Sequence, residues 1–558
     1  MVSALGSLEP NVWRQFFRSI LWRWRHYELL RVMDEATFAR YSEESRSVQD
    51  ALAFFASARE FPAGFLRTIF PSVERLLGRM FWLGDDITAY LLFRTLGDLL
   101  EDEGLDEEAA RSMQFAGRCA RSLRFHEEAI ILLERALPHA HKATPDHPLC
   151  TEIYNLLGLV YGVTGRYDEA ELSFQKSLAV LDKWPAATLR HHLWRPKYKL
   201  RGLRLTNMLD LHLLKARHVT GSARTKEIEV ARALLQRAVE SVEDEPVLQG
   251  YAVGNEAEIL LVEGRLAEAH RLLSSEIERY GPETPASRQI LPPLHRLLAD
   301  VAAEEGKQRE AYAHCREALQ FSLRFANAHE EGLVVETTID IMGRFIRPRL
   351  AGAGLRALSG EDRQVIQNLV LLLEGKDWYT GNNHSRAVSK LCRTLGSELQ
   401  AEGGTRPGRP EPSQEPIELD TLEMAGLLHD IGKLRIPWSL LNKRNPLLPL
   451  EHRVLESHVS EGGSILKHLG FSSLARLVEE HHEKLDGSGY PSGKRKLSLM
   501  GSVIAVADSY EAMVTPNRRY TTPRRRSEAL LELRSLAGKS YDHRVVGALE
   551  RRVGRGRP

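Results

Sequence analysis

Cysteine is scarce. Cys119, Cys150, Cys315 and Cys392 are the four in 558 residues, and no two form a C-x-x-C pair. That excludes a disulfide framework and a thiolate zinc site, and it suits a reducing compartment. Long apolar runs are missing as well. No stretch of eighteen apolar residues exists, so no transmembrane helix is expected. The N-terminus lacks the apolar core and cleavage site of a signal peptide, and a cytoplasmic protein is expected. Nor is there an excess of charge. The formal net charge is +1, so nothing argues for binding a nucleic-acid polymer. What is present is 43% apolar residues, spread over a chain too long for one ordinary core. Two or more domains are therefore expected.

Residues 1–85 read as an N-terminal helical or capping region. Trp13, Phe16, Phe17, Ile20, Leu21 and Trp24 fall on one face of a helix, with Arg14, Arg18 and Arg25 off it. A membrane surface would suit such a face. The reading adopted is a capping helix, because amphipathic helices usually serve a core.

Residues 86–345 show helical repeats. In 151–184, Tyr154, Leu157, Gly158 and Tyr161 share a first helix. Gly165 and Tyr167 make a turn, and Ala170, Phe174 and Leu178 share a second helix. Gly158 and Ala170 let the two helices approach, and the large residues fill the space between units. The pattern resembles the tetratricopeptide repeat. Weaker copies occupy 250–283 (Ala257, Gly264, Ala269, Leu273) and 292–325 (Ala299, Gly306, Ala311, Cys315, Ala318). Upstream, Gly97, Gly104 and Ala109 fit one register, while Gly117, Ala129, Leu133 and Ala136 fit another that overlaps it. Stacked units leave a concave groove, and protein partners are the expected occupants. Residues 346–360, with Pro348 and three glycines, read as the linker to the second half.

Residues 361–558 carry the chemistry. His481–Pro491 reads H-H-E-K-L-D-G-S-G-Y-P. Adjacent imidazoles each need partners for both ring nitrogens, and a metal satisfies them most simply. Upstream stand His384, the run His429-Asp430-Ile431-Gly432-Lys433, and His458. Downstream, Asp508 ends an apolar run. Residues 401–417, rich in Pro and Gly, read as a mobile insertion, and 551–558 as a disordered basic tail. His452 and His468 are assigned to the surface.

H-D-I-G-K, then H-H-E-x-x-D-G-S-G-Y-P, then V-x-A-V-A-D, in that order, resembles the HD-GYP family. That family is a branch of the HD metal-dependent phosphohydrolases and hydrolyses cyclic di-GMP. The likeness spans Asp377 to Asp542. With the repeats it implies an all-α protein, a tetratricopeptide-like solenoid followed by an all-helical HD-type domain. It implies two divalent metal ions, iron or manganese first, with zinc, magnesium or nickel as alternatives. His384, His429, Asp430 and Asp508 would hold one metal. Asp430 would bridge to a second, completed by His458, His481 and His482. Two such metals can share a hydroxide that attacks phosphorus. Asp430 and Lys433 would then be the catalytic pair, with Lys433 neutralising the non-bridging phosphate oxygens. Glu483, Asp486, Gly487, Gly489, Tyr490 and Pro491 form the motif's turn. There Asp486 could cap the backbone or orient a ligand histidine, and the family uses this segment to meet partner proteins.

The pattern also departs from the family. Gly381-Asn382-Asn383 put His384 one residue late, and Thr380 stands where some members carry a glutamate for a third metal. Two metals are therefore expected. The usual R-P-Y element is replaced by Asn517-Arg518-Arg519-Tyr520, so Arg518 and Arg519 are the candidates for gripping substrate phosphate. The leading expectation is a cyclic di-GMP phosphodiesterase giving pGpG or GMP, targeted or regulated by its repeats. The rivals are a phosphohydrolase with another cyclic nucleotide or phosphoester as substrate, and an inactive nucleotide-sensing adaptor. A homodimer is left open.

Overall fold

The computed structural model describes residues 86–555 except 145, 194–196, 242–245, 281–286, 325–327, 351–354, 356–357, 378–382, 404–415, 443–446, 448 and 516–522. It also describes a few positions between 67 and 78. The amphipathic face at 13–24 lies outside these residues, as do Thr380, Arg518, Arg519 and most of the 401–417 insertion. The described residues are all-helical, with one isolated bridge between Ala537 and Tyr541. The chain divides into two compact units between Glu331 and Gly332.

The first unit is a series of antiparallel helix pairs. The helices are α1 (Asp86–Asp102), α2 (Asp106–Ser122), α3 (His126–Ala143), α4 (Leu149–Val163), α5 (Tyr167–Lys183), a short α6 (Ala186–Leu193), α7 (Lys197–His218), α8 (Gly221–Glu240), α9 (Pro246–Glu263), α10 (Leu266–Arg279), α11 (Ser287–Glu304) and α12 (Gln308–Arg324). The expected units at 151–184, 250–283 and 292–325 correspond to α4–α5, α9–α10 and α11–α12. Gly165, Gly264 and Gly306 each take a positive φ (79°, 80° and 75°) in the tight turn between paired helices. A Cβ at Gly158 would sit 2.6 Å from the Phe174 ring, so the missing side chain is what lets the fully buried Phe174 lie against α4. The two overlapping upstream registers are both real, because α2 packs on α1 and on α3. Gly97 receives Met113, and Gly117 receives Leu133. At the second of these turns Arg124 takes the positive φ (64°) without a glycine.

The second unit contains most of α13 (Ala328–Leu350), then α14 (Gly360–Lys376), α15 (His384–Gly403), α16 (Leu419–Leu428), a 3₁₀ turn (Ile431–Arg435), α17 (Pro449–Glu456), α18 (His458–His468), α19 (Ser472–Glu480), α20 (Leu499–Val514), α21 (Arg526–Ser535) and α22 (His543–Arg555). Three boundaries differ from expectation. Residues 346–350 belong to the end of α13, not to a linker, since that helix carries Pro348 in its last turn. The insertion begins later, because α15 runs to Gly403, and Ile417 already accepts a hydrogen bond from Gln400 (2.7 Å). The basic tail is helical through Arg555, where Val545, Val546, Ala548 and Leu549 bury one face of α22. The core of the unit is built from Val388, Cys392 and Leu395 of α15, Leu422 and Ala425 of α16, Val478 of α19 and Val503–Ala507 of α20. Gly501 to Asp508 are all buried, so α20 runs through the middle of the unit.

Candidate metal centre

His429 and Asp430 leave the C-terminal end of α16 as the chain tightens into the 3₁₀ turn. A Cβ at Gly432 would lie 1.9 Å from the His458 carbonyl oxygen and 2.4 Å from the Gly462 nitrogen. Only glycine allows that approach, and it seats the turn against the start of α18. His429 and Asp430 are thereby set beside His458.

Three histidines are oriented by the same local device. Nδ1 of His429 lies 2.9 Å from the Gly426 carbonyl, Nδ1 of His458 2.6 Å from that of Leu455, and Nδ1 of His481 2.5 Å from that of Val478. A carbonyl can only accept, so each Nδ1 carries the proton. In the neutral rings Nε2 is then the lone-pair atom. All three Nε2 atoms are buried and have no hydrogen-bond partner within the protein. Leaving three ring nitrogens without a partner in one place is costly unless something outside the chain fills them.

The donors form two groups, His384–His429–Asp508 and His458–His481–His482, each with its ligand atoms within 4.8 Å of one another. Donors bound 2.0–2.2 Å from one ion lie about 3 to 4.2 Å apart. His384 Nε2 is 3.2 Å and His429 Nε2 3.5 Å from Asp508 Oδ1, which is already that spacing. Asp430 stands between the groups. Its Oδ2 is 3.3 Å from His429 Nε2 and 3.9 Å from His384 Nε2, while its Oδ1 is 3.4 Å from His458 Nε2. One carboxylate thus presents an oxygen to each group. Lys433 Nζ lies 2.7 Å from Asp430 and 3.4 Å from Asp377.

The electrostatics favour a cation. Burial works against ionising Asp430, yet Lys433 and the charged His429 beside it hold its carboxyl well below the usual range. Burial likewise opposes Asp508, and His384 and His429 hold it down. Burial lowers His458, His481 (to about 3) and His482, so these three rings stay neutral with their lone pairs available. Burial also disfavours a charged His429, but Asp430 and Asp508 overcome it and raise that ring to about 10. The pull they exert on a proton at Nε2 is the pull a metal would feel there. The residues present therefore fit a pair of divalent cations with nitrogen and oxygen ligands.

The turn after His482 is tightly specified. A Cβ at Gly489 would come within 2.5 Å of the Glu483 Cα and the His482 oxygen, and Gly487 has φ +80°. Glu483, fully buried, accepts from the backbone nitrogens of Ser492 (2.7 Å) and Lys494 (2.9 Å). Asp486 accepts from Ser488 N, Ser488 Oγ and Ser540 Oγ. It therefore caps the turn, and the alternative of orienting a ligand histidine is not what its contacts show. Tyr490 stacks on His482, with ring centroids 4.8 Å apart, and Pro491 follows through a cis peptide bond.

Two residues of the surroundings were not picked out from the sequence as site residues, although the family likeness begins at one of them, Asp377. Glu480 is buried and accepts from Ser498 N (3.1 Å) and Ser498 Oγ (2.6 Å). Ser498 is the N-cap of α20, the helix that delivers Asp508, and its Oγ accepts from Gly501 N. Asp377, 2% exposed, faces Lys433. Neither stands out locally, since Glu480 lies between Glu479 and His481 and Asp377 follows Lys376. His452 and His468 are exposed, as expected.

The HD domain matches residues 409–545 and the tetratricopeptide repeat matches residues 106–183. His384 lies upstream of the first match. A cyclic di-GMP phosphodiesterase of Thermotoga maritima is 34% identical over 190 residues, covering 33% of this chain and 48% of its own. One from Pseudomonas aeruginosa is 33% identical over 188 residues, 33% and 41% of the two chains. A 3'3'-cGAMP-specific phosphodiesterase of Vibrio cholerae is 43% identical over 95 residues, 16% and 21% of the two chains. The chain spans less than half the length of each. The chain thus joins a stretch similar to tetratricopeptide repeats to one similar to the HD domain, and the second is shared with these phosphodiesterases.

Proposed function

We propose that the chain is a metal-dependent phosphodiesterase that opens a 3'–5' cyclic dinucleotide, with cyclic di-GMP as the substrate. The observation that carries this reading is Asp430, whose two oxygens face two separate groups of imidazole and carboxylate donors. Two divalent cations held there, iron or manganese, would supply an activated water and neutralise charge developing on the phosphoryl oxygens. His384, His429 and Asp508 would hold one, His458, His481 and His482 the other, and Asp430 would touch both.

The chain's own groups do the rest. The carbonyls of Gly426, Leu455 and Val478 fix three rings so that each Nε2 points inward. Lys433, held between Asp430 and Asp377, keeps a positive charge beside the place where phosphate charge builds up. Tyr490 stacks on His482 and so helps to fix the plane of that ring. The product is the linear dinucleotide pGpG, with GMP after a second cut. The repeat unit recruits a protein partner and so targets or regulates the reaction.

A second reading keeps the metals and changes the base, because a matching relative is specific for 3'3'-cGAMP. The deciding experiment is turnover of cyclic di-GMP and 3'3'-cGAMP by anaerobically purified, iron- or manganese-loaded protein, beside Asp430→Ala. Cyclic di-GMP turnover that is lost at least 1,000-fold in the variant, on the order expected for losing a metal-bridging ligand, supports the reading. Protein that contains two metals by elemental analysis and hydrolyses neither dinucleotide would overturn it.

A further inference from the structure

The 3₁₀ turn Ile431–Arg435 begins one residue after Asp430 and contains Lys433. It is short, with single hydrogen bonds from Lys433 N to Asp430 O (2.9 Å) and from Ile436 N to Lys433 O (3.1 Å). Bonds of this kind do not by themselves fix a backbone, so the turn depends on what grips it. One grip is Lys376, fully buried at the end of α14, which donates to the Leu434 carbonyl. Another is the close seat of Gly432 on α18.

The last residue of the turn, Arg435, supplies a third grip that reaches much further along the chain. Its guanidinium meets Glu336 of α13 with two parallel bonds, Nε to Oε1 at 2.9 Å and Nη2 to Oε2 at 2.8 Å. Its Nη1 meets Glu461 Oε2 of α18 at 2.8 Å and Ser464 Oγ at 3.3 Å. Its side chain is only 12% exposed, although both glutamates are more than a third exposed. A planar fork bound on both edges has little freedom left, unlike a solvated surface pair.

Helix α13 is also the segment in which the chain passes from one compact unit to the other, between Glu331 and Gly332. The same helix is fastened again further on. Asp340 lies 3.8 Å from His468 at the end of α18, and Arg347 and Leu350 close over Gly470. The first of these fastenings, Glu336, is the one that acts on the turn carrying Lys433.

We propose that Arg435 is a positioning residue for the reaction, through which α13 holds Asp430 and Lys433 in register with the imidazoles of α18 and α19. It touches neither donor group. It acts by locking the turn directly to α13, so a displacement of that helix is passed through the Arg435 side chain to the turn that carries Lys433. The inference rests on the phosphodiesterase reading for its kinetic test and on the fold alone for its structural one.

The experiment uses the full metal-loaded chain with Arg435→Met, Arg435→Lys, Glu336→Gln and the Arg435→Met/Glu336→Gln pair. Turnover of cyclic di-GMP is measured together with hydrogen exchange of the peptide spanning 429–441. Arg435→Met is expected to lower kcat about 10- to 100-fold with KM changed less than threefold, the scale for a small misplacement of a catalytic group. Glu336→Gln should lower kcat in the same direction and add nothing in the Arg435→Met background. Lysine, with charge but no fork, should restore only part of kcat. Exchange should quicken in 429–441 while peptides of α20 keep wild-type protection. Unchanged exchange in 429–441, or additive effects of the two single changes, overturns the proposal. Should the wild-type chain hydrolyse no cyclic dinucleotide, the functional reading fails, and the exchange data still decide whether Arg435 and Glu336 hold the turn.

Discussion

At Asp430 a single carboxylate serves two sets of imidazoles, and the protonation of those rings makes the metal-free protein unusually sensitive to pH. Burial holds His481 down to about 3, and it lowers His458 and His482 as well, against an unfolded value of 6.5. Below pH 6.5 the unfolded chain therefore binds more protons at these rings than the folded one. Their contribution is complete above 6.5 and is lost as pH falls. His429 has the opposite sign. Its folded value is raised to about 10, so its contribution is complete below 6.5 and is lost as pH rises towards 10. The metal-free protein should thus be most stable near pH 6.5, and urea midpoints measured from pH 5 to 9 should pass through a maximum there. A flat profile over that range would refute this account of the rings. Metal loading should flatten the alkaline side and steepen the acid side, because His429 then carries no second proton in the folded protein while the unfolded chain still takes protons below 6.5.

Among the elements, α20 shows how a site residue is placed by a contact remote from it. Asp508 stands ten residues after the N-cap Ser498, and Ser498 is held by the buried Glu480 of α19, next to His481. The helix that brings one ligand is therefore tied to the helix that brings two others. Glu480→Ala would leave Ser498 N–H without its acceptor, at a cost of about 1–3 kcal/mol. A fall in thermal midpoint together with faster loss of metal to a chelator is expected. Loss of stability with unchanged metal retention would mean that the contact supports the fold and not the site. In the first unit the corresponding device is apolar. Gly158 admits Phe174 between α4 and α5, as a close-packed helix pair requires.

For the whole molecule, the division between Glu331 and Gly332 separates the repeats from every proposed metal ligand. A metal that binds only folded protein stabilises the unit that contains the ligands, by about 2.7 kcal/mol at a free concentration a hundredfold above Kd. Calorimetry should accordingly resolve two transitions, of which manganese moves only one. A single transition shifted as a whole by manganese would mean that the two units unfold together. Among the described residues no helix is long and apolar enough to cross a membrane, which agrees with the sequence expectation on that point.

The sequence by itself determined the all-helical class, the repeat units around Gly158, Gly264 and Gly306, and the set of histidines and aspartates that come together. The repeats were legible because they depend on local spacing, a turn glycine and a period of about 34 residues, whereas the scattered histidines and aspartates were gathered only by the resemblance of their ordered motifs to the HD-GYP family. Helix ends were less legible, and α13 and α22 run past their expected limits, because packing of Ile346 and of Val546 and Leu549 outweighs Pro348 and a basic composition. Only the tertiary structure decided that Asp430 faces both donor groups, that Asp377 faces Lys433, that Glu480 holds the cap of α20, and that Arg435 meets Glu336 across 99 residues. Such pairs leave no periodic trace in a sequence. A buried charge is tolerated only where the fold brings its counter-charge to it, and that meeting is a property of packing.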